Sequence, residues 1–121
     1  MKYLIVGIGG MLGSIVRYSL GKWISERKDM IIPAGTMIIN ITGALLLGIV
    51  SCLYNKGNTY LLLAEGFLGA YTTFSTFMYE GFNLFRENER KNALLYISGT
   101  LFLGITGFIT GAALVKLTLM L

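Results

Sequence analysis

The sequence predicts an all-α, polytopic membrane fold of four spans, and three observations carry that prediction. Only 13% of the 121 residues are charged and 55% are hydrophobic, with a mean hydropathy of +0.70, whereas a soluble domain carries about 25% charged residues. The charges are confined to a few places: Lys22 to Asp29, Lys56, and Arg86 to Lys91 hold most of them. Between these clusters lie apolar runs of about 20 residues, the length a helix needs to cross hydrocarbon. Residues 1–121 therefore read as a single transmembrane domain, with no room for a soluble one.

The first span is expected from about Tyr3 to Trp23, ending in the charged stretch Ser25-Glu26-Arg27-Lys28-Asp29. Lys2 ahead of an apolar run and the small-x-small Ser19-Leu20-Gly21 imitate a signal peptide. Arg17 and Tyr18 just before that point, and the spans that follow, favour a retained helix. The second span starts near Pro33, a residue suited to a first helical turn, and continues to about Tyr54. Lys56-Gly57-Asn58 turns the chain into the third, Tyr60 to Phe85. Arg86 to Lys91 form the next loop, and the fourth span runs from about Ala93 to Met120.

Small residues four apart (Gly9 and Gly13, Ala44 and Gly48, Gly107 and Gly111) predict close helix packing. Each pair is read first as contact within one chain, and the set together favours an oligomer. The loops on the side of both termini carry Lys2, Lys56 and Lys116. The opposite loops carry Lys22, Arg27, Lys28, Arg86, Arg90 and Lys91, a modest bias that leans towards termini outside and leaves insertion in both orientations open.

The third span contains the most informative stretch, Gly69-Ala70-Tyr71-Thr72-Thr73-Phe74-Ser75-Thr76-Phe77. Hydroxyls at bilayer depth are costly unless they line a cavity or contact protein. Thr72, Thr73, Ser75 and Thr76 compete locally for backbone groups, and Gly69 loosens the helix just before them. The prediction is a helix deliberately broken in mid-membrane.

Other function classes are excluded by composition. The net charge of +4 sits between apolar spans, where it faces lipid headgroups and sets topology, so nucleic acid is not an expected partner. The single Cys52 and the absence of His leave thiolate or imidazole metal sites and His-based catalysis unsupported. Without a nucleophile–base pair, the chain is not an enzyme.

Two further elements complete a pattern. Gly9-Gly10-Met11-Leu12-Gly13-Ser14 leads to Arg17-Tyr18, and Gly35-Thr36-Met37-Ile38-Ile39-Asn40 opens the second span. With Gly69-x-x-Thr72-Thr73-Phe74-Ser75-Thr76-Phe77, this set resembles the CrcB/Fluc family of fluoride channels over the whole chain, in motif order. The resemblance implies a passive, fluoride-selective channel that lets cytoplasmic fluoride leave the cell. It implies a multi-pass protein of the cell membrane (the inner membrane of a bacterium or archaeon), built as an antiparallel, dual-topology dimer with an identical or paralogous subunit in the lipid bilayer. It also implies a structural sodium ion on the dimer axis, held by the backbone carbonyls of Gly69 and Thr72. The pore residues it implies are Asn40, Phe74, Phe77, Ser75 and Thr76, with a polar track at Tyr96 and Thr100. The next position of that track is Gly104, which has no hydroxyl, so the track is shortened. Ser14 sits where the family often has Ala, a minor change.

Residue chemistry supports the same reading. Fluoride is small, strongly hydrated and a strong acceptor, so a pore must replace its water with donors. An Asn amide and Ser or Thr hydroxyls do so without a full charge that would trap the ion. Phe74 and Phe77 are three apart, and aromatic edges carry partial positive charge. Carbonyls freed by a break suit a hard cation. Plainer roles stand beside these. Asn40 can bridge two helices, and Phe74 and Phe77 can simply pack. Thr42, Thr106 and Thr110 can bond carbonyls four residues back. Arg17 is open between snorkelling and structural pairing. Glu80 is open between a vestibule role and pairing with Arg86, and Glu65 is read as interfacial. The competing functions are a small multidrug-type, proton-coupled exporter and a non-transporting partner subunit of a heterodimeric channel. The exporter needs an embedded carboxylate in the first span, which offers Arg17 instead.

Overall fold

The computed structural model describes residues 1–27, 32–54 and 56–121, and every described regular element is a helix. Three helices are long and apolar enough to cross a membrane: α1 (Lys2–Arg27), α2 (Ala34–Leu53) and α6 (Arg90–Met120). The third predicted span is divided. A short α3 (Asn58–Tyr60) runs into a π-helix (Leu61–Leu68) and one further turn, α4 (Gly69–Tyr71). The chain then leaves helical geometry at Thr72 and resumes as α5 (Ser75–Arg86).

Both long helices at the chain's ends exceed expectation. α1 extends past Trp23 to Arg27, and α6 begins at Arg90, three residues before the predicted start. Lys28 and Asp29 of the first predicted loop lie outside the described residues. The predicted loop 86–91 shrinks because α5 ends in a tight reversal. Asn88 adopts φ 60°, its amide donates to Phe85 O (3.2 Å), and Glu89 N donates to Leu84 O (2.8 Å). That is the Schellman pattern with Asn in the left-handed position. Gly57 (φ 97°) makes the other tight turn, where a side chain would be strained.

Register follows from where the glycines sit. A β-carbon on Gly48 would strike Phe108 O; one on Gly107 would meet Ile41 O (3.4 Å), and one on Gly111, a turn further on, would strike Leu45 O, a turn further on in α2. α2 and α6 thus run parallel, backbone against backbone. Gly9 and Gly13 press in the same way on the carbonyls of Leu62 and Phe67, setting α1 parallel to the π-helix. Small-residue contact is how membrane helices approach closely. Gly9, Gly13, Gly48, Gly107 and Gly111 are therefore in close contact inside the chain, while Ala44 lines a cavity.

Two buried clusters flank the break. Ile39, Leu68 and Tyr71 lie on one side, and Phe77, Leu84, Ala93 and Tyr96 on the other. They hold the two half-helices against α2 and α6 respectively, and so fix the break at the centre of the molecule.

Candidate functional site

The break is built by side chains that take over backbone bonds. In an uninterrupted helix Thr73 N would donate to Gly69 O, but here it donates to Asn40 Oδ1 (2.9 Å), while Asn40 Nδ2 donates to Thr73 O (2.9 Å). One amide on α2 thereby satisfies both backbone groups of Thr73. The next diversion is local. Thr76 N donates to Thr73 Oγ1 (3.3 Å) instead of to Thr72 O, a side-chain-to-backbone bond just where the helix restarts at Ser75. Gly69 and Thr72, the two residues whose carbonyls the family resemblance implies as cation ligands, are those whose usual amide donors have been taken. Thr72 itself is extended (φ −82°, ψ 157°), with Thr72 N and Oγ1 both donating to Leu68 O.

Two cavities meet at this point. The larger, about 680 Å³, is lined by Arg17, Lys22, Thr36, Thr76 and Glu80 among others. The smaller, about 430 Å³, is lined by Asn40, Thr72, Phe74, Phe77, Thr100 and Gly104 along with apolar α6 side chains. Thr73 is the one residue lining both.

Most of the predicted site residues are thus brought together, in two groups. Phe77 is buried (4% exposed) and tilted against Tyr96, with ring centroids 5.3 Å apart. Phe74, 6.2 Å from Phe77, is 72% exposed while lining the smaller cavity. Thr100 Oγ1 and Tyr96 Oη are buried among the described residues without a hydrogen-bond partner, as is Arg17 Nε. Thr100 opens onto the smaller cavity. Tyr96, fully enclosed, lies within electrostatic reach of Glu80. Gly104 lines the smaller cavity and faces open space. Ser75 is exposed and lines neither cavity.

Glu80 accepts a hydrogen bond from Thr36 Oγ1 across to α2, and among the described residues no ion pair joins it to Arg86. Arg17 is half-buried and lines the larger cavity, its Nε without a hydrogen-bond partner among the described residues. Thr42 does more than bond its own helix. Its hydroxyl donates to Ile38 O (2.8 Å) and so accepts from Tyr71 Oη (2.9 Å). Thr36 and Tyr71 escaped the sequence reading as individuals, whereas Thr73, read there as one of four hydroxyls competing for backbone groups, does so with Thr76 N.

Family comparison agrees with this arrangement. A model described as CrcB-like protein, Camphor Resistance (CrcB), matches residues 4–112. The chain belongs to the CrcB family. Curated relatives carry a more specific name. Fluoride-specific ion channel FluC 2 of Clostridium acetobutylicum is 57% identical over 111 residues, covering 92% of this chain and 95% of the relative. Fluoride-specific ion channel FluC of Acidobacterium capsulatum is 42% identical, covering 87% and 88%. The protein of the same name from Thermus thermophilus is 40% identical over 122 residues, covering 94% and 96%. The family and the three long apolar helices make the chain a multi-pass membrane protein.

Proposed function

We propose that the chain is a passive, fluoride-selective ion channel that lets fluoride leave the cytoplasm across the cell membrane. The observation that carries this is the pair of cavities meeting at Thr73: one bears Arg17 and Lys22 together with Glu80, the other offers neutral donors, aromatic rings and apolar α6 side chains without a charge. Basic groups draw an anion in, and the neutral cavity then exchanges its water for an amide, hydroxyls and ring edges. Asn40 spends one amide hydrogen on Thr73 O and keeps the other for a passing ion. The buried Thr100 hydroxyl, lacking a protein partner, is a second donor of the same kind. The names of the relatives support fluoride as the ion. Charge-bearing side chains line the larger cavity only, so a larger, more weakly hydrogen-bonding halide gains little in the smaller one.

In this reading the two halves of the third span make a fourth crossing, and two subunits, identical or paralogous, pair antiparallel in the bilayer. The exposed Phe74 and Gly69 support a partner at the break. The carbonyls of Gly69 and Thr72, deprived of their usual donors, fit a sodium ion shared with the same pair from the second subunit. Hard oxygen donors suit a hard cation. When bound, that ion supplies fixed positive charge beside the anion path and ties the breaks together.

Growth provides the test. Expression in bacteria stripped of their own fluoride defence should restore growth in millimolar-range fluoride, and the Asn40→Leu variant, made at the same level, should not. Growth rescue by neither protein would refute the assignment.

A further inference from the structure

Besides its local bonds, the break is seated on one face of α2. Asn40 grips Thr73, and three residues on, at the next position of the same face, Gly43 meets Thr72. A β-carbon at Gly43 would collide with Thr72 Cγ2 and would lie 3.3 Å from the Tyr71 ring. Neither neighbour is free to retreat. Thr72 Oγ1 donates to Leu68 O (2.9 Å), which fixes the rotamer and aims Cγ2 at Gly43. Tyr71 is buried, tied through its hydroxyl to Thr42 and stacked on Phe67 with centroids 5.9 Å apart.

We propose that Gly43 is a positioning residue for the ion path: by lacking a side chain it lets Thr72 seat against α2, which sets Thr73 at the distance Asn40 needs to take both of its backbone groups. The proposal rests on the channel reading but concerns a residue that touches neither cavity. Its content is steric and therefore pairwise. Filling Gly43 pushes Thr72 outward, Thr73 follows, and the diverted amides that free the Gly69 and Thr72 carbonyls return towards helical partners. Gly48, five residues on, is equally intolerant of a side chain, but its obstacle is the Phe108 carbonyl on α6 and not a residue of the break.

The test is a double-mutant series on the purified full chain, read as fluoride efflux from liposomes per folded protein and as the thermal unfolding midpoint. Gly43→Ala should cut efflux by roughly tenfold or more, the scale at which overpacking translates into a barrier. Thr72→Ser keeps Oγ1 and its bond to Leu68 but removes Cγ2. In that background Gly43→Ala should cost several-fold less. Thr72→Val keeps a methyl at the Cγ2 position and should give no recovery. Gly48→Ala should lower the unfolding midpoint to the same extent whatever stands at position 72. If Gly43→Ala alone does not fold, the Gly43→Ala/Thr72→Ser pair must. The proposal is overturned if efflux per folded protein is unchanged in Gly43→Ala, if Ser and Val at position 72 rescue equally, or if neither rescues. Should the native protein carry no fluoride, the channel assignment fails instead, and Ser-specific recovery of the unfolding midpoint still decides the Gly43–Thr72 contact.

Discussion

The two cavities on either side of Thr73 differ in kind. The larger presents a guanidinium, an ammonium and a carboxylate on half-open walls. The smaller presents an amide, hydroxyls and rings, with apolar α6 side chains around them. An anion path needs both properties but not in one place. Full charge attracts from a distance and holds too tightly at close range, whereas neutral donors replace hydration and still release the ion. What separates the two environments is the short break at 72–74, extended at Thr72 and back in helical geometry at Phe74, and the bonds that hold it.

Breaking that separator should have the largest effect. Asn40→Leu leaves Thr73 N and O without partners, at roughly 1–3 kcal/mol for each unsatisfied group. Efflux from liposomes should vanish and the unfolding midpoint should fall by several degrees.

Altering only the smaller cavity comes next. Phe77→Ile and Phe74→Ile should both reduce fluoride flux if ring edges face the ion. Their stability costs should diverge, at about 1–2 kcal/mol for buried Phe77 and within about 0.5 kcal/mol for exposed Phe74. Equal destabilisation, measured by thermal melts of the purified variants, would mean that Phe74 is covered by more than lipid. Unchanged flux in both would return the rings to a packing role.

The larger cavity should respond more weakly and in a salt-dependent way. Arg17→Gln should slow efflux a few-fold at low ionic strength, and the deficit should shrink near 1 M salt, where the screening length is about 3 Å. A deficit independent of salt would mean that Arg17 acts by packing. Smallest of all, Asn88→Gly relieves a left-handed residue outside both cavities. It should raise stability by a few tenths of a kcal/mol and leave flux as it was.

Much of this was legible in the sequence because it rests on local chemistry. The charge-free stretches marked the long helices, and four hydroxyls after Gly69 marked the break. Asn40, Phe74, Phe77 and Thr100 do share a cavity. What stayed hidden depends on which helix lies opposite. Nothing in Gly43 distinguishes it from fifteen other glycines until Thr72 is seen against it. Thr42 looked like a residue bonding only its own helix because Tyr71 is 29 positions away. The π-helical turns of Leu61–Leu68 have no sequence signature of their own and are seen only with the structure, where they lie against Gly9 and Gly13. Ser75, similar to its neighbours in composition, points outward because the chain restarts its helix one residue after the break.

The most direct measurement of the central claim is ion release from liposomes containing the purified native protein. Fluoride and chloride are loaded in parallel and each is followed with its own electrode, with no proton gradient applied. The account predicts rapid fluoride efflux and chloride efflux indistinguishable from protein-free vesicles. Comparable release of both ions, or fluoride release that starts only when a proton gradient is imposed, would contradict it.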